Sequence, residues 1–160
     1  MINIYTIGVY NSTEDDFFGK LVNNHIDIFC DIRQRRGVRV SLYKFVNSNY
    51  LQSKLKYLGI QYMYIKELAP TNEIREKQKA ADKINHETKK QRKKLGFVFE
   101  QEYKKQILDN FNFNTLLNEF NEHGDVNIAF FCVEEYATAC HRSLVAKRIS
   151  EIINTNPINL

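Results

Sequence analysis

At 160 residues, 43% hydrophobic and 26% charged, the chain has the size and composition of one globular domain that can bury a core without disulfide staples. No apolar run nears the roughly 18–20 residues of a membrane span, the start Met1-Ile2-Asn3-Ile4-Tyr5 lacks signal-peptide character, and three cysteines speak for a reducing compartment, so a cytoplasmic domain is expected and secreted, spanning, collagenous and disordered classes are excluded. The formal net charge of +4 is uneven: Asp31 to Lys44 carries net +4 and Arg75 to Lys94 net +6, a clustering that favours a polyanion or a phosphorylated ligand.

Ile2 to Val9 reads as a strand, with β-branched and aromatic residues ending at Gly8. Ser12 or Thr13 caps a helix whose first turn holds Glu14, Asp15 and Asp16 and whose stripe is Phe17, Phe18, Leu21 and Val22. Asp27 to Arg33 is continuously apolar at its centre, as in a strand covered on both faces. A basic connection over 34–43 leads to a helix capped at Asn47 or Ser48, with Tyr50, Leu51, Leu55 and Leu58 at helical spacing and Gly59 as its stop. Gln61 to Ile65 is a third strand. A polar helix is expected from Thr71 or Asn72 to about Leu95, then helices over Phe97–Asn110 and Asn114–His123. Val126 to Cys132 is a fourth buried strand, and a last helix runs from about His141 to Ile153.

This alternation implies a single α/β domain over 1–160, with a mainly parallel sheet of four or five strands and helices on both faces. Within it, 71–96 reads as a basic helical insertion and 154–160 as a flexible tail.

In such sheets ligands bind beyond the carboxyl ends of the strands. Three of those ends are polar here: Gly8 to Ser12 with Tyr10 and Asn11, Asp31-Ile32-Arg33, and Cys132 to Glu135 leading to Cys140-His141-Arg142-Ser143. The last segment opens a helix, where free N–H groups and the dipole favour anions and a thiolate. Arg142 adds planar donors suited to phosphate or carboxylate, and Asp31 and Arg33 share one face of their strand. No glycine-rich phosphate loop occurs. The nearest Arg stands ten residues after Cys132 and two after Cys140, so there is no cysteine-to-arginine phosphate cradle, and no metal set is read from the spacing of Cys132 and Cys140.

The motifs Tyr5-Thr6-Ile7-Gly8, Asp31-Ile32-Arg33, Gly59-Ile60-Gln61-Tyr62 with Leu68, and Cys132-x-Glu134-x5-Cys140-His141-Arg142-Ser143-Leu144-x-Ala146 resemble the domain of unknown function 488 family. The resemblance covers roughly residues 4–70 and 126–150, and its Cys-x-Glu…Cys-His-Arg part is the specific one. It implies a compact α/β domain with recurrent polar positions at Asp31, Arg33, Glu134, Cys140, His141 and Arg142, and it implies no settled activity. Val9-Tyr10-Asn11 departs from the segment common after the family's first glycine, and Arg35-Arg36 stands where a proline is common.

The resulting expectation is an anion pocket at the carboxyl ends of the strands, for a nucleotide, nucleic acid or other phosphorylated compound. Glu134, Cys140 and His141 would be its chemical groups, and Asp31, Arg33, Arg142, Ser143, Tyr10 and Asn11 would hold the ligand. Arg35, Arg36, Arg39, Lys89, Lys90, Arg92, Lys93 and Lys94 would contact a nucleic-acid backbone. The alternative is a non-catalytic nucleic-acid- or protein-binding module in which the Cys-His-Arg corner is structural. Whether the chain is an enzyme is left open, no cofactor is implied, no membrane partner is expected, and self-association is left open.

Overall fold

The computed structural model describes residues 1–86 and 93–160. Its strands are β1 (Ile2–Ile7), β2 (Ile28–Asp31), β3 (Gln61–Tyr64), β4 (Val126–Phe131) and β5 (Ile158–Asn159). They form one sheet in the order β3-β2-β4-β1-β5, and every pairing is parallel. The helices are α1 (Glu14–Asn23), α2 (Ser48–Tyr57), α3 (Asn72–Asn85), α4 (Phe97–Tyr103), α5 (Phe113–Asn121) and α6 (His141–Ile153). This is the expected single α/β domain. Among the described residues no helix is long and apolar enough to cross a membrane.

Side-chain alternation along the strands divides the core in two. Ile28, Cys30, Ile128 and Phe130 face α3 to α6 through Tyr103, Phe120, Val145 and Ile149. Phe29, Ala129 and Phe131 face α1 and α2 through Phe17, Leu21, Leu51 and Leu55. Connections that run toward β3 carry their helices on the second face, and those that run back toward β5 carry theirs on the first. Right-handed crossovers require this arrangement.

Local chemistry explains several element ends. Thr13 Oγ1 accepts from the Asp16 N–H, which caps α1. Thr71 Oγ1 accepts from the Ile74 N–H in the same way at α3. Gly59 closes α2 with φ +75°, in the left-handed region. Asn47 precedes α2, but its side chain instead accepts from the Val38 N–H at 2.7 Å.

The expected long polar helix ends early. α3 stops at Asn85, with His86 in the left-handed conformation. A helix with so few apolar positions gains little from being longer, and the buried side chains of α3 are Ile74 and Gln78. Gln78 Oε1 accepts from the Phe99 N–H at 2.8 Å in the first turn of α4. Gln78→Ala is expected to leave that buried N–H without an acceptor and cost about 1–3 kcal/mol in urea unfolding, whereas a loss near zero would mean that α3 is not anchored there. Lys89, Lys90 and Arg92 lie outside the described residues.

Three further expectations change. The helix expected over Phe97–Asn110 turns π-helical at Lys104–Leu108, and the Asp109 N–H bonds back to Lys104. The wider turn brings Tyr103 and Leu108, five positions apart and both buried, onto nearly one side, where an α-helix would set them about 140° apart. Val22 and Tyr50, read as stripe residues, are exposed, and the Tyr50 hydroxyl donates to Glu14. The 154–160 segment is not a loose tail: Ile158 and Asn159 pair with Tyr5 and Thr6, and Thr6 Oγ1 donates to Asn159 Oδ1 at 2.6 Å. Two paired residues are too short a run to show period-2 alternation.

Candidate functional site

β2 and β4 are neighbours, but the chain leaves β2 toward α2 on one face and leaves β4 toward α6 on the other. The carboxyl ends of such a pair enclose a crevice, the usual ligand position in parallel α/β sheets. Cys132 is the first residue after β4, and His141 is the first of α6. The His141 Nε2–H donates to the Ile32 carbonyl just past β2, at 3.0 Å, so the imidazole spans the switch between the strands. Its Nδ1 then faces Cys140 Sγ at 3.7 Å.

The loop before α6 is held by its own bonds. A 3-10 turn at Ala137–Ala139 sets Cys140 at the N-terminal cap position, and the Ser143 hydroxyl donates to the Cys140 carbonyl. Arg142 is 1% exposed. It donates to the Glu134 carbonyl at 2.5 Å, the Glu135 carbonyl at 2.9 Å and Thr6 Oγ1 at 3.4 Å. These bonds make it a brace for the Glu134–Glu135 loop. Gly8 sits against the same loop, where any Cβ would lie 2.1 Å from the Glu134 carbonyl oxygen.

A cleft of about 420 Å³ opens beside this corner. Cys132, Glu134, Cys140 and His141 line it, together with Arg75 and Lys79 of α3. Lys94 and Leu95 line another side, and Thr138 pins them there through bonds to the Lys93 carbonyl and from the Leu95 N–H. The Tyr103 ring lies 5.5 Å from the His141 ring, and its hydroxyl donates to the Leu68 carbonyl.

The electrostatics of the cleft separate its thiols. Burial pushes the Cys140 thiol up, but the Cys132 S–H bond, the Arg142 guanidinium and the Arg142 backbone N–H outweigh it and bring it down to about 7. Cys132 goes well up because it donates to Cys140 and is buried. Cys30, enclosed in β2, is pushed up mainly by burial. Burial likewise raises Tyr103.

The residues read from the sequence fall into separate groups. Glu134, Cys140, His141 and Lys94 line the cleft. Arg142 and Ser143 stand behind it and hold the loop and helix start. Asp31 and Arg33 form a buried bidentate pair at 2.7–2.8 Å on the opposite face, with the guanidinium 4.7 Å above the Phe131 ring. Tyr10 and Asn11 also lie apart from the cleft: Tyr10 packs on Tyr43, and Asn11 donates to the Glu135 carboxylate. Arg35, Arg39 and Lys93 are exposed, and Arg36 lies 4.2 Å above the Tyr64 ring.

Sequence reasoning counted Arg75 and Lys79 only within the basic stretch Arg75 to Lys94 and did not name them as residues of the pocket. It also treated Cys132 and Cys140 as too far apart for a ligand set. Their meeting depends on the loop geometry between β4 and α6, for which eight positions of spacing carry no periodic signal.

A family model described as Domain of unknown function DUF488 matches residues 13–149. No curated protein and no solved structure matches the chain.

Proposed function

The chain belongs to the domain of unknown function DUF488 family, whose description names no activity, so its function must be read from its own geometry, and we propose that the cleft binds a small phosphorylated ligand of nucleotide size. One observation carries this reading: the N-terminus of α6 meets Arg75, Lys79 and Lys94 in a single hollow. A helix N-terminus carries a partial positive charge that favours an anion, and Arg75, Lys79 and Lys94 are the cations that would hold it in a lining that also contains Glu76, Asp82 and Glu134. The volume of about 420 Å³ falls within the roughly 300–1,000 Å³ of small-molecule sites.

In this reading Glu134 and His141 are the acid–base groups, and Cys140 is the nucleophile or supporting thiol beside them. Arg142 acts through the loop it braces rather than on the ligand. Thermal unfolding against inorganic phosphate and nucleoside monophosphates tests the idea. A rise in Tm is expected at low salt, reduced at moderate salt and lost in Arg75→Ala/Lys79→Ala. No rise, or a rise unchanged in that variant, would remove the anion reading.

Polynucleotide binding is a second reading, supported by Arg35 and Arg39 standing exposed where the chain leaves β2 at the same sheet edge. It expects stabilisation by short RNA or DNA only, lost steeply with salt and on neutralising Lys89, Lys90, Arg92, Lys93 and Lys94.

A further inference from the structure

Two thiols and one imidazole converge where β4 ends and α6 begins. One ligand atom from each of Cys132, Cys140 and His141 lies within 4.8 Å of the others. All three residues are enclosed, at 7%, 3% and 4% exposure, yet all three line the cleft. We propose that Cys132, Cys140 and His141 bind one zinc ion, with its fourth coordination position open to the cleft.

The distances suit the ion. Zinc bonds of about 2.3 Å to sulfur and about 2.0–2.1 Å to nitrogen, arranged tetrahedrally, set ligand atoms roughly 3.5–3.8 Å apart. The Cys140 Sγ to His141 Nδ1 separation is already 3.7 Å. The outer contact is in place as well. A carbonyl only accepts, so the Ile32 oxygen at 3.0 Å holds a proton on Nε2, and Nδ1 is the ring nitrogen that faces the sulfurs. Zinc-bound histidines characteristically have such a partner on the far nitrogen.

The donor set decides which ion. Two soft thiolates and an imidazole select a thiophilic tetrahedral cation and disfavour magnesium and calcium, which take oxygen ligands. Charge points the same way. Two thiolates enclosed together repel each other, whereas with a divalent cation the set is neutral. Uptake displaces to solvent the proton that Cys132 donates toward Cys140, together with any proton that Cys140 still carries. Three protein ligands with one open position is also the pattern of zinc sites that do chemistry rather than hold a fold.

A disulfide between Cys132 and Cys140 is the competing use of the same sulfurs. It gives no role to the imidazole, whose Nε2–H is held by the Ile32 carbonyl and whose Nδ1 faces the sulfurs. The zinc proposal stands apart from anion binding, because it is measured with metal alone, and it gives Cys140 and His141 ligand roles in place of the nucleophile and acid–base roles of that reading.

The test uses the full chain, reduced and stripped with a chelator, and Co²⁺ as the probe. One Co²⁺ per chain is expected, with a thiolate-to-cobalt charge-transfer band, intense visible bands of tetrahedral geometry, and displacement by Zn²⁺. Cys132→Ser and Cys140→Ser should each weaken Co²⁺ binding more than about 100-fold, beyond the loss of an outer-shell partner. Glu76→Gln, elsewhere on the cleft, should leave it unchanged. X-ray absorption of the unsubstituted Zn²⁺-loaded chain needs no variant to fold. It should show two sulfurs at about 2.3 Å and lighter atoms at about 2.0–2.1 Å. A shell of oxygen and nitrogen only would overturn the proposal. So would a reduced chain that takes up no Co²⁺ but forms the Cys132–Cys140 disulfide on mild oxidation.

Discussion

Asp31→Ala is expected to destabilise the protein by about 3–5 kcal/mol, because it leaves the Arg33 guanidinium buried without its counter-charge. The two side chains are 0% and 3% exposed, and they share two hydrogen bonds. Asp31 also accepts from the Arg33 backbone N–H and from the Tyr62 hydroxyl. Arg33 Nη1 is already buried without a hydrogen-bond partner among the described residues, so the guanidinium has no spare solvation to draw on. Replacing both partners by apolar residues, as in Asp31→Leu/Arg33→Met, should recover most of the loss, since a buried pair and a packed apolar pair are often close in free energy. Urea unfolding of the three proteins measures this. A single-variant loss below about 1 kcal/mol would show that water reaches the pair in solution.

Gly8→Ala is expected to cost about 3 kcal/mol or more. The added methyl would sit 2.1 Å from the Glu134 carbonyl oxygen and 3.1 Å from Arg142 Nη2. Neither neighbour can yield easily. The carbonyl is held by Arg142 at 2.5 Å, and the backbones on both sides are tied through the Val9 and Tyr10 N–H bonds to Val133. Relief therefore means moving the β4–α6 loop and the cleft wall with it. Gly19→Ala is the control. It lies inside α1 with nothing within 4 Å of a new Cβ, and should stabilise by about 0.5–1 kcal/mol. Denaturation of both variants decides, and a Gly8→Ala protein as stable as the unsubstituted chain would mean that the loop is not pinned.

The buried strands and their parallel sense were legible because apolar runs such as Ile28 to Cys30 and Ile128 to Cys132 alternate with capped helices. The faces were legible only in part. Val22 and Tyr50 fit a helical stripe by spacing, but spacing does not say how wide the covering sheet is. The π-turn after Tyr103 and the short β5 leave no periodic trace. At the candidate site, Glu134, Cys140 and His141 were singled out because strand ends and helix starts are recognisable in sequence, and all three line the cleft. Which polar ends share a cleft was not, because Asp31 and Arg33 point through the sheet to the face opposite His141, and parity along β2 becomes a spatial fact only once each face has its helices. Arg142 illustrates the same limit: a cation at a helix start reads as an anion holder, but in place its donors go to the Glu134 and Glu135 carbonyls.

The central position of β4 also governs the order in which the sheet assembles. β1 and β2 are consecutive in sequence but share no backbone bond, because β4 lies between them and Ile2 takes its partner at Val126. β2 and β3 need only a short crossover to meet, with Ile28 beside Gln61. The β2-α2-β3 unit can therefore nucleate early, whereas β1 has no inner neighbour until the distant β4 slots in as a keystone, after the long loop-closure entropy has been met. Amides of β1 and β4 should consequently gain protection together in pulse-labelled refolding, and later than those of β2 and β3. The cysteines and histidine of the crevice, which exist as a set only on the far side of that step, come together last.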